Sequence, residues 1–146
     1  MRIIKITMFS LLITFIILPA FAQTKLGRVK VIVNQIVESD GGNLKIGLYN
    51  AEGFPVLGKE LAGVDIEIKE SSISYIFTKV PIGSYAIATF QDINLDSVLN
   101  TNFLGFPVEP YGFSLNKYGL FSPPSFNDVS FTVKENEEIT LTINLE

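Results

Sequence analysis

The stretch Arg28-Val29-Lys30-Val31-Ile32-Val33, followed by the turn-forming run Ser39-Asp40-Gly41-Gly42-Asn43 and then Leu44-Lys45-Ile46-Gly47-Leu48, decides the fold class. Val29, Val31 and Val33 recur at every second position, and so do Leu44, Ile46 and Leu48. That is the period at which a strand turns one face to a core. β-Branched residues fit a pleated surface, and the Asp-Gly-Gly-Asn run adopts turn conformations that bulkier residues resist. The two segments are expected to form a hairpin.

Working outward, Val64-Asp65-Ile66-Glu67-Ile68-Lys69 alternates, Tyr75 to Val80 follows, and Ser84 to Phe90 reads as a buried strand. Phe126 to Val133 and Ile139 to Leu145 close the chain, the last with Ile139, Leu141, Ile143 and Leu145 in phase. Turn-rich clusters separate these runs at intervals of about ten residues. No capped helical pattern interrupts them after residue 22, which argues against a parallel α/β sheet. The expectation is an all-β chain: a single antiparallel β-sandwich of about seven strands, Ig-like in layout. Between the fifth and sixth strands, residues 92–124 form a long irregular loop carrying Pro107, Pro110, Pro123 and Pro124 with Gly105, Gly112 and Gly119. A connection of that length carries function or a bound ion more often than it merely links.

The ends and composition bound the rest. Arg2 and Lys5, the apolar run Ile6 to Leu18 and the small-x-small Ala20-Phe21-Ala22 read as a secretory signal, with cleavage before Gln23. Ser10, Thr14 and Pro19 break the run short of a membrane span, which needs about 20 apolar residues. Residues 1–22 are thus expected to be a signal peptide and 23–146 one β-sandwich domain, exported to the periplasm or the extracellular space without a transmembrane anchor. No cysteine is present to hold a lipid or a disulfide. After residue 22 nine basic residues face fifteen acidic ones, a net charge of −6. Nucleic acid is an unsuitable partner for such a chain.

The absences restrict chemistry further. With neither His nor Cys, the chain builds no Ser-His-Asp triad, no Cys-His pair and no ordinary zinc site. Carboxylates such as Glu52, Glu60, Asp65, Glu67 and Asp128 lie in separate segments without a motif joining two of them into a glycosidase pair. A non-enzymatic role is expected.

Two segments remain as candidate sites. In Asp92-Ile93-Asn94-Leu95-Asp96-Ser97-Val98-Leu99-Asn100-Thr101-Asn102, oxygen donors stand at relative positions 1, 3, 5 and 9, and Val98 at position 7 offers a carbonyl. Alternating oxygens suit calcium, which takes six to eight of them. The loop departs from an EF-hand, with Ser97 in place of the sharp-turn Gly and Phe103 in place of the closing Glu; Glu109 is the nearest acid downstream. The competing reading is a loop whose Asx side chains cap their own backbone amides. The second segment, residues 105–126, concentrates aromatics among prolines and glycines. Tyr111, Phe113, Tyr118 and Phe121 either present a surface to a cell-envelope glycan or peptide, or fold inward as a local core. The turn Val80-Pro81-Ile82-Gly83-Ser84-Tyr85 is structural: Tyr85 is expected to pack its ring and tie its hydroxyl to nearby backbone.

Taken together, the signal segment, Pro81-x-Gly83-x-Tyr85-Ala86, Asp92-x-Asn94, Gly105-Phe106-Pro107-x-Glu109-x-Tyr111-Gly112-Phe113-Ser114 and Pro123-Pro124-Ser125-Phe126-x-Asp128 resemble an uncharacterised secreted bacterial family, domain of unknown function 2141. The resemblance spans nearly the whole chain after residue 22 and implies no activity. The family's loop commonly reads Asp-x-Asn-x-Asn-Gly-x-x-Asp-x-Asn after a His; here Asp96 and Asn100 exchange roles, Ser97 replaces the Gly and Gln91 the His. The Pro-x-Gly-x-Tyr turn leading into an Asp-rich loop also resembles transthyretin-like and collagen-adhesin B-type sandwich domains. The leading expectation is one structural calcium ion at Asp92, Asn94, Asp96, Val98 and Asn100; the alternative is ligand binding through the aromatic loop.

Overall fold

Among the described residues, alternation of apolar and polar side chains is realised as eight strands in two sheets. The computed structural model describes residues 24–120 and 122–146; the expected signal peptide, residues 1–22, and Phe121 lie outside the described residues. The strands are β1 (Leu26–Asn34), β2 (Asn43–Tyr49), β3 (Ala62–Glu67), β4 (Ile73–Pro81), β5 (Gly83–Asp92), β6 (Tyr111–Phe113), β7 (Phe131–Val133) and β8 (Glu138–Asn144). The chain is all-β, with two short 3₁₀ turns and one four-residue α-turn, α1 (Phe126–Val129), among the described residues.

One sheet runs β4-β1-β8; the other runs β3-β2-β5, with β6 and β7 both on the far edge of β5. The expectation of antiparallel pairing throughout is corrected: β1 pairs with β8 in parallel, Arg28 opposite Glu138 through Asn34 opposite Asn144. First and last strands are joined by no direct connection, so no tight turn forces them antiparallel.

The expected hairpin is also corrected. β1 and β2 form where the pattern places them, yet they lie in different sheets, and the chain between them arches from one sheet to the other. Both carry apolar residues at every second position, and the arch lets both rows face one shared core: Val29, Val31 and Val33 from β1 meet Leu44, Ile46 and Leu48 from β2. Ile36 in the arch joins that core. A buried side chain from β5 holds the arch: Gln91 Nε2 donates to the carbonyls of Val37 and Gly41 at 2.8 and 2.9 Å, and its Oε1 accepts from the Val37 N–H at 3.0 Å. Gly42 passes so close to the end of β5 that a Cβ there would collide with the Asp92 carbonyl.

The expected strand Phe126 to Val133 begins instead with α1, because Ser125 caps it, accepting from the Asp128 N–H and donating to the Asp128 carboxylate. This Ser-x-x-Asp cap is a helix-start signal outweighed in the sequence by the β-rich residues around it. The Tyr85 corner forms as expected, the hydroxyl donating to the Pro81 carbonyl at 2.9 Å.

β6 and β7 leave a gap between them along β5, at Ile87. Fully buried Ser114 fills it: its Oγ accepts from the Ile87 N–H at 3.0 Å and donates to the Val129 carbonyl. Ser114→Ala leaves a buried N–H and a buried carbonyl unpaired, and the expected loss is about 2 kcal/mol. Urea unfolding with an unchanged m-value checks it.

Candidate functional site

β5 ends at Asp92, and the backbone beyond it is gathered by carboxylates. Asp92 is 1% exposed; its Oδ1 accepts from the Asp96 N–H at 3.1 Å and its Oδ2 from the Ser97 N–H at 2.9 Å. Glu109 turns inward, its Oε1 accepting from Ile93 N–H and its Oε2 from Asn100 N–H, both at 2.9 Å. Two buried carboxylates thus satisfy four amides and fix both ends of the loop. Charge-assisted bonds of this kind are about twice as strong as neutral ones.

The rest of the expected ligand set splits. Asn94, Asp96 and Asn100 converge at the surface: the Asn94 amide nitrogen stands 2.9 Å from both Asp96 Oδ2 and Asn100 Oδ1, and the Asn100 amide donates to Asp96 Oδ2 at 3.0 Å. Asp92 lies apart from them, turned toward the loop backbone, with Lys45 Nζ 3.8 Å from its Oδ2. The Val98 N–H donates to Asp96 Oδ1 at 2.8 Å. Amide donation from Asn100, then from Val98 N–H and Asn94, holds the Asp96 carboxyl below the ordinary carboxylate range. The bonds made by Asp96 are therefore present at neutral pH and lost as pH falls through that lowered pKa. Ser97 takes the left-handed conformation, φ 66°, which a Gly at that place adopts without strain.

Calcium fits this donor set only in part. The convergent group supplies one carboxylate and two carboxamides, against the six to eight oxygens the ion takes. No group of three or more His, Cys, Asp or Glu that could hold a metal ion occurs among the described residues.

Downstream, the chain doubles back from Thr101 to Pro107 around Asn102, whose Oδ1 accepts from the Leu104 and Phe106 N–H groups. The aromatic segment then packs onto the outer face of the larger sheet. Phe113 is buried, while Tyr111 and Tyr118 are half-buried, in a cluster that joins Phe54 and Phe126 through edge-to-face contacts at 5.7 to 6.2 Å. The Tyr118 hydroxyl donates to the Asn144 carbonyl, and burial, with the Glu146 charge, pushes its pKa up to about 12. Of the four candidate surface rings, three thus share one apolar cluster, and Phe121 lies outside the described residues.

Beside this cluster lies a groove of about 390 Å³. Strand register builds its floor: Gly47 stands opposite both Gly63 and Ala88, three small residues in one row across β3, β2 and β5. Tyr49, Pro55 and Leu57, from β2 and the loop after it, line it together with Leu99, Tyr111 and Pro123 from the 92–124 region. Leu99 comes from the pinned loop, so Asp92 and Glu109 also set one wall of the groove. Tyr49 and Leu57 carry no signal in the sequence, and Glu60 stands out there only as one of several carboxylates without a partner motif. The signal available was the small residues Gly47, Gly63 and Ala88 at outward positions of strands, and only the register shows that they align.

The fold and site define an all-β module with a carboxylate-pinned loop flanking an apolar groove. The chain belongs to the bacterial family described as "Uncharacterized protein conserved in bacteria", domain of unknown function 2141, which matches residues 31–140. No curated protein and no solved structure matches the chain.

Glu109→Gln replaces one of the two acceptor oxygens with a donor, leaving Ile93 or Asn100 N–H unpaired. The expected cost is about 1–3 kcal/mol. Amide hydrogen exchange should accelerate at residues 93–100 while protection in β1 and β2 is retained.

Proposed function

We propose that this protein is an exported, non-catalytic β-sandwich that binds a small ligand with an apolar body in the groove between Tyr49 and Tyr111. The groove carries the reading: it is concave, walled by aromatic and aliphatic side chains, and of a size that small-molecule sites favour, about 300–1,000 Å³. Two sheets that share one core, together with the Tyr85 corner, support the sandwich description of Ig-like or transthyretin-like kind. The signal-like residues 1–22 support export to the periplasm or beyond, and the lack of His and Cys supports a binding role over catalysis. Packing of Phe113, Tyr111 and Tyr118 into a common cluster favours a ligand seated in the groove over a glycan or peptide laid across exposed rings.

The groove is tested by following backbone amide shifts while titrating 2-phenylethanol, a neutral aromatic probe. Shifts confined to Gly47, Gly63, Ala88 and their neighbours are expected. Gly63→Leu, at an exposed position on edge strand β3, fills the groove and should suppress them without lowering the melting temperature. Shifts that ignore the groove would overturn the reading.

A second reading is a calcium ion held loosely at the loop surface, supported by the convergence of Asn94, Asp96 and Asn100. On that reading millimolar calcium raises the melting temperature over chelator, magnesium does so less, and Asp96→Ala removes the effect, since a ligand of the folded state stabilises by RT ln(1 + [L]/Kd). An equal response in Asp96→Ala would place the ion elsewhere.

A further inference from the structure

The charges around the groove are not equivalent. Lys45 is engaged by the Asp65 carboxylate, to which it is bonded, and stands 3.8 Å from Asp92. Glu60, in contrast, has no ion-pair partner among the described residues. Its side chain leans over the groove floor, Cγ 3.3 Å and Oε1 3.7 Å from the point where a Cβ on Gly63 would stand. Facing it is Tyr49, only 3% exposed, whose ring covers Gly47. Its hydroxyl makes no hydrogen bond to any described residue. Burial, and then the nearby Glu60 charge, push the phenol up to about 12, so the hydroxyl stays neutral at physiological pH and offers lone pairs to a donor. The groove rim therefore carries a carboxylate with no ion-pair partner among the described residues, beside the Tyr49 hydroxyl and the aromatic residues Phe90 and Tyr111 that line it.

Resting on the groove reading, we infer that the groove selects small organic cations: a protonated or quaternary amine set against Glu60 and Tyr49, with an apolar or aromatic body lying along Leu57, Leu99 and Tyr111. Three terms favour the charge. The Glu60 carboxylate supplies direct attraction, aromatic rings attract cations through their negative faces, and the neutral hydroxyl accepts an N–H. An anionic ligand of the same shape meets the Glu60 charge without a free basic group to offset it, because Lys45 is already engaged. Glu60 is solvent-exposed, so its contribution is modest and salt-dependent.

The experiment titrates the intact domain with three probes of like shape: phenethylamine, 2-phenylethanol and 3-phenylpropionate, read by amide shifts at Gly47, Gly63 and Ala88. The amine should bind roughly five- to tenfold more tightly than the alcohol, as an exposed ion pair plus a cation–π contact supplies. Propionate should bind most weakly. In Glu60→Gln, a surface change that leaves the groove walls in place, the amine's lead over the alcohol should shrink to about two- to threefold, the Glu60 contribution having gone while those of the rings and the hydroxyl remain. Equal binding of all three probes to the unaltered protein would overturn the cation preference and leave the groove as a neutral apolar site. Failure of every probe to shift those amides would overturn the groove reading itself.

Discussion

Strand β5 is buried almost from end to end, on both faces, and every polar group along it must find its partner inside the protein. That constraint organises the molecule. Water cannot serve Ile87 N–H, so Ser114 does. Gln91, with no exposure, spends its amide on the backbone of the arch and thereby fixes how β1 and β2 are placed relative to each other. Asp92, at the strand's end, turns its charge onto two amides of the next loop. Thr89 Oγ1 is the exception, buried and without a partner among the described residues.

A second consequence is that β5 carries two cores. Its inner face contributes Tyr85 and Ile87 to the apolar interior shared by both sheets. Its outer face, with Ala86 and Ala88, is partly covered by the aromatic cluster built from the β2–β3 connection, β6 and α1. Where that cover stops, small side chains leave a groove. Concavity here arises from residue size in register: two glycines and an alanine in a row, with large rings before and after. Residues of the 92–124 region, among them Tyr111, Phe113 and Tyr118, supply part of this second layer. Six amides between Ile93 and Phe106 are taken up by Asp92, Asn102 and Glu109.

The sheet edges are treated unequally. The outer edge of β8 is covered by Asn116, which donates to the Thr142 carbonyl and accepts from the Asn144 N–H, and by the Tyr118 hydroxyl. β3 is an edge of the larger sheet, with Asp65 and Glu67 exposed along it, a charged margin of the kind that discourages strand-to-strand aggregation. The groove opens beside this acidic margin, and Glu60 belongs to the same side of the molecule.

Period-two apolar patterning was enough to fix the strands at Val29 to Val33, Leu44 to Leu48 and Ile139 to Leu145, because alternation depends only on local geometry and on the need to bury one face. The same holds for the Tyr85 corner and for the Asx side chains that turn onto nearby amides, all contacts within a few residues. Pairing was not legible: nothing in β1 and β2 says whether the Gly41-Gly42 turn closes a hairpin or arches between sheets. That choice rests on Gln91, some fifty residues away. Parallel pairing of β1 with β8 joins opposite ends of the chain and leaves no local trace. Glu109 was visible as an acid but not as a clamp, and the groove was invisible, since Gly47, Gly63 and Ala88 become neighbours only through sheet register. Local steric and solvation preferences are written in the sequence; the long-range partners that satisfy buried polar groups, and the hollows left between packed layers, are decided only when the chain closes on itself.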